Sequence, residues 1–164
     1  MPRRYRIKGA TTSNTLSGAK TLCQYKSGSG SSGWVTHITV DGNSLSADAI
    51  IDVSLVRMHV ASTSMTSFTP LLCDPDGAAA NGAGGTGATA VWVSSQTDGT
   101  LGDELWRRQV SAMSGGGVEV FFPDGVYEFA AGGAVDKGIL ALYVNTTLAV
   151  AHVISFELGI AEVG

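Results

Sequence analysis

The chain has 164 residues and a formal charge of −4, and 22 Gly, 19 Ala, 17 Ser and 15 Thr fill 73 of its positions. That length fits one domain, and 44% hydrophobic residues exclude disorder throughout, although charged residues are only 15% against a usual ~25%. No 18-residue stretch is free of polar and turn residues, which excludes an apolar membrane helix, and the basic start MPRRYRIKGATTSN lacks the apolar stretch of a secretory signal.

Charge is divided unevenly. Residues 1–40 carry six basic side chains (Arg3, Arg4, Arg6, Lys8, Lys20, Lys26) and no acid, whereas the rest carry 4 basic and 14 acidic ones. Residues 1–17 are therefore read as a basic N-terminal arm, ahead of a β domain over 18–164. Four charges within eight residues release few counterions, so nucleic acid is disfavoured as a partner and an acidic protein surface is preferred.

Beyond the arm, period-two alternation of apolar and polar residues predicts strands over 19–26, 35–40, 52–60, 90–94, 105–113, 118–122, 126–130, 139–144 and 150–160. Short turn signals separate them: a Ser/Gly run over 27–33, Asp41-Gly42-Asn43, Thr97-Asp98-Gly99, Ser114 to Gly117, Pro123-Asp124-Gly125 and Gly132-Gly133. Asn145-Thr146-Thr147 predicts a hairpin joining the last two strands. No long window shows an uninterrupted helical stripe, so the chain is expected to be all-β: one antiparallel sandwich, an eight-stranded jelly roll. Residues 74–89, DPDGAAANGAGGTGAT, are the one long stretch without a large apolar side chain, and are read as a contact loop or exposed flap.

Candidate chemistry is sparse. Gly82 to Gly87 spells GxGxxG, but a dinucleotide site needs a strand before it and a helix after it, and DPDGAAAN and ATAVWVS supply neither. His37, His59 and His152 lie on three different predicted strands and are read as structural. Cys23 and Cys73 have no CxxC spacing and are read as buried free thiols, with one disulfide as the alternative and zinc disfavoured. Asp103 and Glu104 are neighbours that point to opposite faces of a strand, which is no glycosidase pair. Asp74 and Asp76 lack the further ligands of a calcium loop. Catalytic residues, metal and cofactor are accordingly expected to be none. Trp34, Trp92 and Trp106 lie inside strand runs and are read as packing residues. In the segment 118–129, Val120 and Phe122 share one face and Phe121 takes the other, which makes Phe121 and Tyr127 candidates for contact with another subunit.

The order of these features resembles the small β-sandwich proteins that decorate or cement the capsids of tailed bacteriophages. The landmarks are Ala19 to Gln24 as opening strand, Val35 to Gly42, Val53 to Arg57, and Phe68-Thr69-Pro70-Leu71 leading to Asp74-Pro75. Trp106 to Ser111 followed by Gly115-Gly116, Glu119 to Pro123, Ala130 to Gly133, Gly138 to Tyr143 and Val153 to Glu157 complete the set. The resemblance implies a non-enzymatic virion protein on the capsid exterior, assembled in the host cytoplasm. It implies homotrimers bound to the lattice of the major capsid protein; the basic start maps onto no feature of that family, and its charge makes Arg3, Arg4, Arg6 and Lys8 the candidates for contact with an acidic capsid or neighbouring subunit. A carbohydrate-binding sandwich on a virion surface or tail is the alternative from another class.

Overall fold

The computed structural model describes residues 2–11, 14–16, 20–28, 30–43, 49–68, 70–73, 89–93, 95–113, 115–133, 135–146 and 148–163. Fourteen strands form there: β1 (Arg3–Ala10), β2 (Asn14–Leu16), β3 (Lys20–Lys26), β4 (Ser32–Gly42), β5 (Ile50–Val60), β6 (Thr66–Phe68) and β7 (Leu71–Leu72). They continue as β8 (Thr89–Val91), β9 (Thr100–Ser111), β10 (Val118–Phe121), β11 (Glu128–Phe129), β12 (Ile139–Val144), β13 (Leu148–His152) and β14 (Ile154–Val163). The helical content of the described residues is a single 3-10 turn at Ala131–Gly133.

Two antiparallel sheets pack face to face. The first runs β10-β4-β14-β1-β7, with β11 also paired to β4, and the second runs β6-β8-β3-β12-β5-β9. Within them the eight principal strands follow β1-β14-β4-β10 and β3-β12-β5-β9, the strand order of a jelly roll. Period-two alternation sets the layers. Ile38, Val40, Ile154, Leu158 and Ile160 of the first sheet meet Leu55, Val53, Leu140 and Leu142 of the second in one core, all with no exposed surface.

Three expectations are corrected. Residues 3–10 are no arm: they form β1, the opening strand of the jelly roll, paired along its whole length to β14 from Arg3 opposite Glu162 to Ala10 opposite Ser155. Arg4-Tyr5-Arg6-Ile7-Lys8 alternates charge with bulk, and Tyr5 and Ile7 are buried. The domain therefore starts at β1 and not at residue 18. The C-terminal pair is no hairpin either, because β12 pairs with β3 and β5 while β14 pairs with β1 and β4 in the other sheet. Between them β13 pairs with β2, making the crossing from one sheet to the other. Third, Cys23 is a buried free thiol, its pKa pushed up to about 12 by burial, but Cys73 is free and exposed. Residues 74–88, with the GxGxxG run, lie outside the described residues.

Part of the outer face of the second sheet, over β12 and the end of β5, is also apolar, and the chain covers it with its own connections. Val56, Met58, Ile139, Ala141 and Tyr143 form a smaller cluster there, against which Ala61 packs. Buried hydrogen bonds stitch the covering segments down. Gln24 Nε2 donates to Ser62 O at 2.8 Å, and Ser62 N–H donates to Gln24 Oε1 at 2.9 Å. Thr21 and Ser62 hydroxyls pair at 2.8 Å, Gly99 N–H donates to Ser62 Oγ, and Gln96 Nε2 donates to Thr21 O. The close approach requires glycine at 99, since a Cβ there would lie 1.9 Å from Val60 O. Asp98 closes the network: burial opposes its charge, yet hydrogen bonds from Lys20, Thr21 and Gln96 outweigh this and hold its pKa below the ordinary value.

Candidate functional site

The outer face of the first sheet has no such cover among the described residues. Alternation along β1 turns Arg4, Arg6 and Lys8 outward as a row of exposed cations. Arg3, at the start of the strand, stands opposite Glu162 and is exposed as well. Glu162 is itself buried and accepts a hydrogen bond from the Tyr25 hydroxyl. Burial raises the pKa of Glu162, and the nearby Arg3 charge partly opposes that rise.

Next to the cations lies a polar cluster. Glu157 of β14 takes His37 Nε2 of β4 at 2.9 Å and Arg6 Nε at 3.9 Å. Thr36 Oγ1 lies 3.2 Å from His37 Nδ1 and fixes the other side of the ring. The imidazole rests on Gly159, opposite it in register, where a Cβ would meet Nδ1 at 2.1 Å. Against the ring stands Phe121 of β10, centroids 5.6 Å apart, with 71% of its surface exposed. Trp34 donates its indole N–H to Asp124 Oδ1 at 2.9 Å. A shallow pocket of about 420 Å³ opens beside the row, lined by Lys8, Gly9, Thr39, Asp41, Ser155, Phe156 and Glu157.

The fold thus brings Arg4, Arg6, Lys8 and Phe121 onto one face. It separates Tyr127, which is half-buried and stacks edge-to-face on Phe122 at 4.8 Å, Phe122 in turn meeting Trp106 at 6.1 Å. Tyr127 is therefore a packing residue at the opening between the sheets and no part of the Phe121 surface. The apolar character on both sides of segment 118–129 comes from this cluster on one side and Phe121 on the other.

Glu157 is the member of the face that sequence reading passed over, and His37, read there as structural, is held by it. A lone histidine in a strand gives no sign of its partner, and the signal for this one lies in Gly159, a glycine inside an otherwise regular strand. The other histidines are elsewhere: His59 pairs with Asp136 at 2.9 Å, and His152 is buried. Trp92 is buried, while Trp34 and Trp106 are half-buried. Among the described residues no group of three or more His, Cys, Asp or Glu could hold a metal, and no helix is long and apolar enough to cross a membrane.

A second concavity of about 540 Å³ is lined by Arg57, Asp103, Glu128, Asp136 and Lys137, among others. Its charges are largely engaged locally, Arg57 Nη2 donating to Glu128 O at 3.0 Å and Asp136 holding His59. Comparison with family profiles, with characterised protein sequences and with solved structures finds no match to this chain.

Proposed function

We propose that this chain is a non-enzymatic structural protein of a bacteriophage virion, which decorates and stabilises the capsid by binding, as a homo-oligomer, to the lattice of the major capsid protein. The observation that carries this reading is the open face of the first sheet, where Arg4, Arg6 and Lys8 stand in a row on a strand that is paired along its whole length, beside the exposed Phe121. A rigid sheet presents cations without the entropy cost of ordering a flexible arm, which suits a permanent contact with an acidic surface. The jelly roll supports the reading more weakly, since viral capsid proteins and lectins both use it. In place of the arm read from the basic start, the contact is assigned to the face.

The test is co-sedimentation of the purified chain with phage heads. Reversing charge with Arg4→Glu and Lys8→Glu is expected to abolish capsid occupancy at unchanged melting temperature, because both side chains are exposed. Undiminished occupancy of this variant overturns the assignment. The alternative, a carbohydrate-binding module, draws support from half-buried Trp34 and Trp106, which leave ring surface for stacking. Retention on a glycan array, lost in Trp34→Ala while capsid binding is absent, would favour it.

A further inference from the structure

We infer that β9 is a self-complementary sheet edge which pairs, antiparallel and about a two-fold axis, with β9 of a second copy of this chain. The inference stands apart from the capsid reading, since it uses a different surface.

Among the described residues β9 is the terminal strand of the second sheet and, with 12 residues, the longest strand. Apart from its ladder to β5, no hydrogen bond among the described residues reaches the backbone of 101–110. An unpaired edge of this length is a template for another strand, and the bulges and charges that β9 carries blunt it against any strand that does not complement them.

What selects a second copy is the charge sequence Asp103-Glu104-Leu105-Trp106-Arg107-Arg108. Antiparallel pairing centred between Leu105 and Trp106 sets Glu104 opposite Arg107 of the second copy and Asp103 opposite its Arg108. By symmetry each pair occurs twice. Leu105 then meets Trp106 across the centre. Within one copy, Asp103 and Arg108 have no ion pair among the described residues, and Arg107 reaches Asp52 and, at 3.5 Å, Glu104.

A regular strand could not use this symmetry. Residues facing each other across a two-fold must point to the same side of the sheet, and in a regular strand 104 and 107 point to opposite sides. β9 carries an extra residue at that point: Leu55 faces Trp106, Val56 faces Glu104, and Leu105 has no partner of its own. Leu105 and Trp106 consequently both pack toward the core, and Glu104 and Arg107 share the outer side, as their contact shows. The bulge therefore falls at the centre of the charge palindrome and gives Glu104 and Arg107 the parity that the two-fold demands, with further register shifts following between Glu104 and Thr100.

The experiment is a charge-swap mixing test read by sedimentation velocity and native mass measurement. The parent chain is expected to form even-numbered species that dissociate on dilution. Asp103→Lys and Arg108→Glu, two exposed sites without an intrachain ion pair among the described residues, should each weaken that association at least about tenfold by setting like charges opposite each other twice. Mixing the two variants should restore it, as mixed pairs only. Circular dichroism checks that each variant is folded, and Gln109→Lys serves as a second edge variant that keeps the palindrome and should associate like the parent. A parent chain with no even-numbered species at the highest soluble concentration overturns the inference. So does self-association of either swapped variant at parental strength, or failure of folded variants to recombine.

Discussion

The two sheets of the sandwich share a core but treat their outer faces in opposite ways. The second sheet has an apolar patch outside as well as its core face inside: Ala61 packs over Val56, Met58, Ala141 and Tyr143, and Ser62 and Gln96 are tied down by side-chain hydrogen bonds, while Glu104 and Arg107 keep the β9 edge charged. The first sheet is polar outside, with Arg4, Arg6, Lys8, His37 and Glu157 beside exposed Phe121. Apolar residues on both faces of a strand thus need no second subunit, because a chain can build the cover itself. The face left open among the described residues is the one with charge and a single exposed aromatic residue, Phe121.

Substitutions can break this contrast at several strengths. Leu142→Ala, in the shared core, is expected to cost about 2–5 kcal/mol and to lower the urea midpoint more than any change on either outer face. Ser62→Ala should cost about 1–3 kcal/mol, because it leaves the Gly99 N–H and the buried Thr21 hydroxyl without their partner. If the cover of the second sheet were incidental, that variant would melt like the parent. On the open face, Gly159→Ala displaces the His37 ring and separates it from Glu157, but the ring can swing toward solvent, so about 1 kcal/mol is expected from denaturation curves.

Two carboxylates, half-buried Asp98 and buried Glu162, sharpen the comparison further through pH. Asp98, under the second sheet's cover, has a lowered folded pKa, so its contribution is present above the ordinary carboxylate pKa and is lost as pH falls through the folded value. Glu162, in the first sheet, has a raised folded pKa, so its contribution is present at low pH and is lost as pH rises through the folded value. Glu162→Gln keeps an acceptor for the Tyr25 hydroxyl and is expected to gain stability relative to the parent between pH 4 and 7. Asp98→Asn should lose stability relative to the parent over the same range, and thermal melts at several pH values would check both. The smallest effect is expected for Arg4→Glu with Lys8→Glu, within about 0.5 kcal/mol, a change that acts on binding and not on folding.

Strand positions were legible from alternation of apolar and polar residues in β4, β5 and β14 and from the continuous apolar run of β12. β1 carries an equally regular alternation, yet four cations in its first six residues read as a solvated arm; Tyr5 and Ile7 were the signal that it is a strand. The hairpin expectation failed because a three-residue spacing between strands fixes only that the chain turns, not which sheet it turns into. On the open face, the opposed directions of Phe121 and Phe122 followed from parity. The placing of His37 over Gly159 did not, since it depends on register between β4 and β14, more than a hundred residues apart. Nor did the bulge at Leu105, which exists only relative to β5.

The position of β14 between β1 and β4 sets the kinetics of folding. β14 separates β1 from β4, and among the described residues β1 has no other neighbour except two residues of β7. The first sheet cannot close until the whole sequence between its ends has been looped, a contact pattern of high order that makes for slow folding. Amides of β1, β4 and β14 are accordingly expected to gain protection together and late in pulse-labelled hydrogen exchange, after those of β3, β12 and β5. The same ladder leaves β1 and its row of cations nothing to fray from until the sheet opens as a unit.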